Sequence, residues 1–290
     1  MAGADRAWLE AALANWQRSA RRDLQLADAA LPEVRAIDAD CTYTLPAGDF
    51  AAMRSERHGG RVALPNGGRA PLGPISFAFD RDRFVMSLPS VWRAAGVTSE
   101  LGLEKLMDGV LLHEIMHTRQ SRLAAELLDP LAAAHGLEPS DDLIQEVFGK
   151  NPRYEAAYLA ETAALYAAAA APDEAAARGL AAQALHLMRA RRARWLTGAN
   201  AHFAELDDVF LTMEGMGQWL IYRHFVSSEG GSVPPEQALR AVRRGGRWWS
   251  LEEGLALVLV VDRLLPGWQS RAFRDPDWRA EQLLAAAIER

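Results

Sequence analysis

The run His113-Glu114-Ile115-Met116-His117 combines the side chains that metal-assisted hydrolysis requires. Two histidines four apart on a helix project from one face, about one turn apart. Their imidazole nitrogens can then bind a single zinc ion, Zn2+. Glu114 lies between them and is not placed to chelate that ion with them. It is placed to take a proton from a water that the metal polarises, the role of a catalytic base. A catalytic zinc takes three protein ligands and leaves a position for water. The run therefore specifies two metal ligands and a base, and the third ligand has to come from elsewhere.

Three glutamates compete for that place: Glu214, Glu161 and Glu253. Glycine inside a helix costs about 1 kcal/mol against alanine, so Gly215 and Gly217 point to close approach of another element beside Glu214. Gln218 falls one turn after Glu214, where it can hydrogen-bond a ligating carboxylate. Glu214 is therefore the expected third ligand and Glu161 the alternative. Glu161 could instead pair across a helical hairpin with Arg189 or Arg192. His135, between Pro130 and Gly136, reads as a helix-end residue. Tyr222 and His224 follow Glu214 closely and Tyr158 lies on the hairpin. Each is a candidate to stabilise an oxyanion, with ordinary packing as the default. Arg119 and Gln120 could support the histidines, with surface exposure as the default. His58, His186 and His202 show no ligand spacing.

The elements that must position these groups follow from periodicity and turn chemistry. Residues 5–31 read as a helix ended by Pro32. Between 41 and 88 the signal changes to short β-prone runs at 41–45, 61–64, 75–79 and 84–88. Turns at Pro65-Asn66-Gly67-Gly68 and Asp80-Arg81-Asp82-Arg83 separate them. They imply a small, twisted, largely antiparallel sheet. The helix bearing the motif is expected over 100–128, capped by Thr98 or Ser99 and stopped by Pro130. Leu106, Val110, His113 and His117 form one stripe on it. Apolar residues surround much of it, so it should be central and mostly buried. From Gly136 onward the chain is almost wholly helical, with helices over 141–149, 153–171, 173–196, 207–225, 235–244, 250–265 and 278–289. Asp207 or Asp208 would cap the fourth of these. The pair spanning 153–196 reads as an antiparallel hairpin, and its basic stretch Arg189-Ala190-Arg191-Arg192-Ala193-Arg194 as a solvated face. One echo recurs: Glu214-Gly215 and Glu253-Gly254 both sit inside apolar helices.

Half of the 290 residues are hydrophobic and a quarter charged, ample material for a core. The net charge of −6 gives no support for a nucleic-acid footprint. The lone Cys41 cannot form an intrachain disulfide and reads as a small packed residue. No apolar run reaches the length of a membrane span, and residues 1–9 lack the apolar core of a signal peptide. The chain as it stands is expected in the cytoplasm, or exported with its signal removed.

The motif helix followed by a later helical Glu-Gly resembles the glutamate-zincin metallopeptidases. His113-Glu114-Ile115-Met116-His117 matches their first element fully, and Glu214-Gly215-Met216-Gly217 matches the second in type. The resemblance covers two helices and the strand before the first, with the 153–196 hairpin as an insertion between the two zinc helices. It implies a single zincin-like catalytic domain over 1–290, of α+β class and predominantly α-helical. In this arrangement 1–40 forms an N-terminal helix, 41–130 the sheet packed on the motif helix, and 131–290 a helical part. It implies that zinc is held by His113, His117 and Glu214. It also suggests that residues 84–88 form an edge strand that pairs with an extended peptide, with an ordinary core strand an equal alternative. The function expected is hydrolysis of peptide bonds in a peptide or protein substrate, with no nucleic-acid partner. The alternative is a zinc-binding regulatory or binding module that retains the site. Glu114 argues against that alternative, because a structural zinc site needs no base and is usually closed by four ligands.

Overall fold

The computed structural model describes residues 1–290 except Pro65, Asn66, Asp80, Arg81, Arg274, Pro276, Arg290 and the side chain of Phe79. Parts of the two expected turns, Pro65-Asn66 and Asp80-Arg81, thus lie outside the described residues. The chain gathers into two compact units, Met1–Ser121 with Leu220–Ala241, and Arg122–Trp219 with Val242–Arg290. No described helix is long and apolar enough to cross a membrane.

The first unit opens with α1 (Gly3–Arg22), which buries Leu9, Ala12, Leu13, Trp16 and Ala20 at helical spacing. This helix stops well short of residue 31. After Pro32 the chain forms a strand that periodicity did not reveal, β1 (Glu33–Ile37). Five residues are too few for an alternating pattern to stand out, yet β1 is the middle of the sheet. It pairs antiparallel with β2 (Cys41–Leu45), which pairs with β3 (Arg54–Arg57). On its other side β1 pairs parallel with β7 (Arg83–Ser87), and β7 pairs antiparallel with β6 (Ser76–Phe79). The order is β3-β2-β1-β7-β6, a largely antiparallel sheet as expected, mixed by the one parallel pair β1–β7. The parallel pair arises because the chain leaves β2 by way of β3 and a separate hairpin, β4 (Arg61–Ala63) with β5 (Arg69–Pro71), before returning beside β1. β7 is therefore interior, and the edge strands are β3 and β6. Of the two readings of residues 84–88, the core strand holds and the peptide-pairing edge does not. Four of the five residues of β7 are buried, as an interior strand with both neighbours covered should be.

The outer face of the sheet carries a small cluster of Ile37, Val62 and Val85 beneath the β4–β5 hairpin. After β7 comes α2 (Pro89–Ala94), whose first turn is tied to α1. The carboxylate of buried Asp5 accepts from Ser90 N at 3.1 Å and Ser90 Oγ at 2.6 Å. That supplies an acceptor for an orphan helix N–H.

The motif helix is α3 (Leu103–His135), longer than expected because it continues through Pro130. A proline removes one N–H and crowds one carbonyl, and the remaining bonds of a long helix tolerate that cost. In the second unit, α4 (Leu143–Phe148), α5 (Pro152–Ala169) and α6 (Glu174–Trp195) follow. Asn151 caps α5 through Arg153 N and Tyr154 N, and Asp173 caps α6 through Ala176 N. α5 and α6 pack on each other as the expected hairpin. Next is α7 (His202–Val226), then α8 (Pro235–Val242), α9 (Trp249–Leu264), α10 (Gln269–Ala272) and α11 (Ala280–Glu289). α7 begins five residues before Asp207, so neither Asp207 nor Asp208 is its cap. Both are buried inside the helix, where arginines of α6 hold them.

Two features of the second unit decide its packing. Gly215 of α7 and Gly254 of α9 face each other. A methyl built on Gly254 would stand 2.6 Å from Leu211 O and 2.7 Å from Gly215 Cα. The two Glu-Gly pairs noted in sequence are thus the two sides of one helix crossing. The second feature is Arg191, which is 1% exposed. It meets Glu161 Oε2 at 2.7 Å, Glu253 Oε1 at 3.2 Å, Asp207 Oδ2 at 3.3 Å and the Tyr154 hydroxyl at 2.7 Å. Arg192 bonds Asp207 and Asp208, both at 3.1 Å. The basic stretch of α6 is therefore in good part an interior charge network, not a solvated face.

Candidate metal centre

Within the first unit, α3 presents His113 and His117 one turn apart, with ring centroids 4.5 Å apart at 80°. His117 Nδ1 meets Gln120 Oε1 at 2.9 Å, and Gln120 is buried, against the expectation of exposure. With the proton on Nδ1, that contact turns the Nε2 lone pair outward as a ligand atom. Glu114 is half-buried and is tied to the sheet: its Oε2 accepts from Ala78 N of β6 at 3.1 Å. The edge strand beside the motif helix is thus β6. Arg119 donates to Ala30 O, which occupies it away from the histidines.

The last turns of α7, in the same unit, lie on α3. A methyl at Gly109 would stand 2.7 Å from Ile221 Cγ2 and 3.1 Å from Phe225 Cζ. Two further contacts hold this packing. Lys105 Nζ donates to Gly231 O at 2.9 Å, and His224 Nε2 lies 3.9 Å from Asp108 Oδ2. His224 therefore faces Asp108, more than a turn before His113 in α3. Tyr222 is half-buried beside Ile221.

Glu214 lies seven residues before Ile221, two turns back along α7 and on the same face. The ligand atoms of His113, His117 and Glu214 all lie within 4.8 Å of one another. Two imidazoles and one carboxylate form the donor set of a catalytic zinc site and leave a position for water. The set fits a divalent cation of that kind. Glu161 and Glu253, the other glutamates considered, are held instead by Arg191. Glu161 does pair across the hairpin, but with Arg191. Arg189 pairs with Glu281, and Arg192 with Asp207, Asp208 and Glu281. Burial and the neighbouring Glu161 push the Glu253 carboxyl well above the usual range. A carboxyl that keeps its proton is a poor metal ligand.

Sequence reasoning missed the surroundings of Glu214 within the second unit. Gln218 is buried, and its amide does not reach Glu214 as expected: it donates to Val242 O and accepts from Arg244 Nη2, each at 3.2 Å. Burial holds the Arg244 guanidinium below its usual pKa, and the charges of Glu252 and Glu214 oppose that shift. Burial raises the Asp142 carboxyl, with Glu146 and Glu214 adding to the rise. Arg244 and Asp142 thus lie within electrostatic reach of Glu214. In the sequence they carry no signal beyond their places in the helices expected over 141–149 and 235–244. Tyr158 is engaged with Trp249: its hydroxyl bonds Trp249 O at 3.3 Å and its ring stacks on the indole. Cys41 is half-buried at the start of β2. Comparison of the chain with protein-family models, with curated proteins and with solved structures finds no match.

Proposed function

We propose that this chain is a zinc-dependent hydrolase that cleaves peptide bonds. The observation that carries the reading is the convergence of His113, His117 and Glu214 ligand atoms within 4.8 Å, with Glu114 adjacent on the same helix. Bound there, a zinc ion would supply Lewis acidity, polarising a carbonyl and bringing the pKa of water from about 15.7 towards 7. His117 is oriented for its part by Gln120. Glu114 takes the proton of the attacking water on its carboxylate and delivers it to the departing nitrogen as the C–N bond breaks. The bond from Ala78 N steadies that carboxylate through Oε2. Gln218 and Arg244 orient the helix face that carries Glu214.

Two measurements on purified protein test this. Metal analysis should find about one zinc per chain in the wild type and in Glu161→Ala, and little in Glu214→Ala. Full zinc in Glu214→Ala would remove Glu214 as a ligand. A peptide-library digest should show chelator-sensitive cleavage that falls by about 10²–10⁴-fold in Glu114→Gln while zinc is retained. Zinc-loaded protein that cleaves nothing would leave a metal-binding module and end the peptidase reading.

A further inference from the structure

The outer face of the sheet in the first unit holds a second candidate site, formed by elements that do not carry the motif. Between β1, β2 and β3 on one side and the β4–β5 hairpin on the other lies a cavity of about 460 Å³. Arg35, Arg54, Arg57, Arg61 and Arg69 line it, against two carboxylates, Glu33 and Glu56. Strand register sets one row of this wall: Arg35 of β1 stands beside Thr44 of β2, which stands beside Arg54 of β3. Arg61 and Arg69 face them from the hairpin, one at the start of each of its strands.

The charge balance decides what such a cavity takes. Glu33 is already paired with Arg35 at 3.0 Å. Arg61 and Arg69 each reach a backbone carbonyl of the hairpin, which leaves their charges uncompensated. Among the described residues, Arg54 and Arg57 have no carboxylate in ion-pair reach. His58 is spent on structure, Nε2 on Asp38 O at 2.9 Å and Nδ1 accepting from Gly60 N at 3.0 Å. Gathering guanidinium groups in a chain of net charge −6 costs electrostatic repulsion that a bound anion removes. Guanidinium groups bind phosphate and carboxylate oxygens in pairs, and Thr42 and Thr44 add hydroxyl donors. Among the described residues that line the cavity there is no aromatic or large apolar side chain to recognise a ring or an acyl chain.

We propose that this cavity binds a small polyanion carrying two or three phosphate or carboxylate groups. The site is independent of the metal centre and stands whether or not the chain is a hydrolase. The test is calorimetric titration of the full chain at constant ionic strength, with inorganic pyrophosphate in one arm and citrate in the other. The two arms separate a phosphate ligand from a carboxylate one. At least one should bind saturably with Kd below about 1 mM. In Arg54→Gln/Arg57→Gln binding should weaken at least about tenfold, since two charge-assisted contacts are lost. Among the described residues, neither side chain has a hydrogen-bond or ion-pair partner that holds the fold, so the variant should melt with the wild type. Arg122→Gln, which removes an exposed arginine of α3, should bind as the wild type does. Failure of both anions to saturate by about 10 mM, unchanged binding in Arg54→Gln/Arg57→Gln, or an equal loss in Arg122→Gln overturns the proposal.

Discussion

Arg191 is a single guanidinium shared by the buried carboxylates of Glu161 and Asp207 and the carboxyl of Glu253, and its removal leaves charge in the interior with no counterpart. Breaking a buried ion pair from one side costs about 3–5 kcal/mol, because the remaining charges stay desolvated. Arg191→Met should therefore lower the free energy of unfolding by an amount in that range, measured by urea titration. Arg189, two positions earlier, pairs with Glu281 at a site open to water. Arg189→Met should change stability by no more than about 1 kcal/mol. Equal effects for the two would contradict the network drawn here. The contrast cannot be read from Arg189-Ala190-Arg191-Arg192, where composition and charge look alike at every arginine. Burial separates them, and burial depends on which face of α6 meets α5, α9 and the start of α7.

At the scale of elements, the crossing of α7 and α9 depends on a glycine on each side. Alanine at Gly215 would gain about 1 kcal/mol of helix propensity. Its methyl group would meet backbone atoms of Gly254, which cannot rotate away. Overpacking of that kind costs typically 1–3 kcal/mol or more, so Gly215→Ala should lower the thermal midpoint. Gly179 of α6 is the control: it is exposed, inside a helix, and a methyl there meets nothing within 4 Å. Gly179→Ala should raise stability by about 0.4–1 kcal/mol. Opposite signs for the same substitution in calorimetric melts are the expected outcome, and a stabilised Gly215→Ala would refute the close crossing. The crossing also bears on the candidate site, because it sets α7 at the residue next to Glu214.

Across the whole molecule, interior carboxylates couple stability to pH. The Glu253 carboxyl is raised by burial and by Glu161, so the folded chain keeps a proton that the unfolded chain releases. Its contribution is fully present below the unfolded value of about 4.3 and is lost as pH rises through the higher folded value. Stability should therefore fall from about pH 5 upward on account of this group. Gln at this position keeps a donor for Glu161 and an acceptor for Arg191 with no proton to lose. Glu253→Gln should flatten the decline, read from urea unfolding at about pH 5, 6, 7 and 8. Parallel curves for the two proteins would count against a proton held at Glu253.

The motif helix, the helical second half, the 153–196 hairpin and the tie of Glu161 to an arginine of that hairpin were legible in the residues themselves. Local spacing and capping chemistry carry those signals, as at Asn151 and Asp173. The short strands were legible in part: the runs at 41–45, 61–64, 75–79 and 84–88 correspond to β2, β4, β6 and β7, whereas β1, β3 and β5 went unseen. Strands of three to five residues, with charge on an exposed face as in Arg54–Arg57, carry almost no periodic signal. Sequence alone determined two histidines on one helix face with a glutamate on the adjacent stripe, because that juxtaposition is a property of 3.6 residues per turn. Everything that needed two distant segments to meet was decided by tertiary structure. It placed Glu214 with His113 and His117, gave Glu161 and Glu253 to Arg191, made β6 the edge and gathered the arginines of the outer cavity. The reason is physical. A side chain's competing partners lie far along the chain, and only the packed backbone fixes which of them comes within reach.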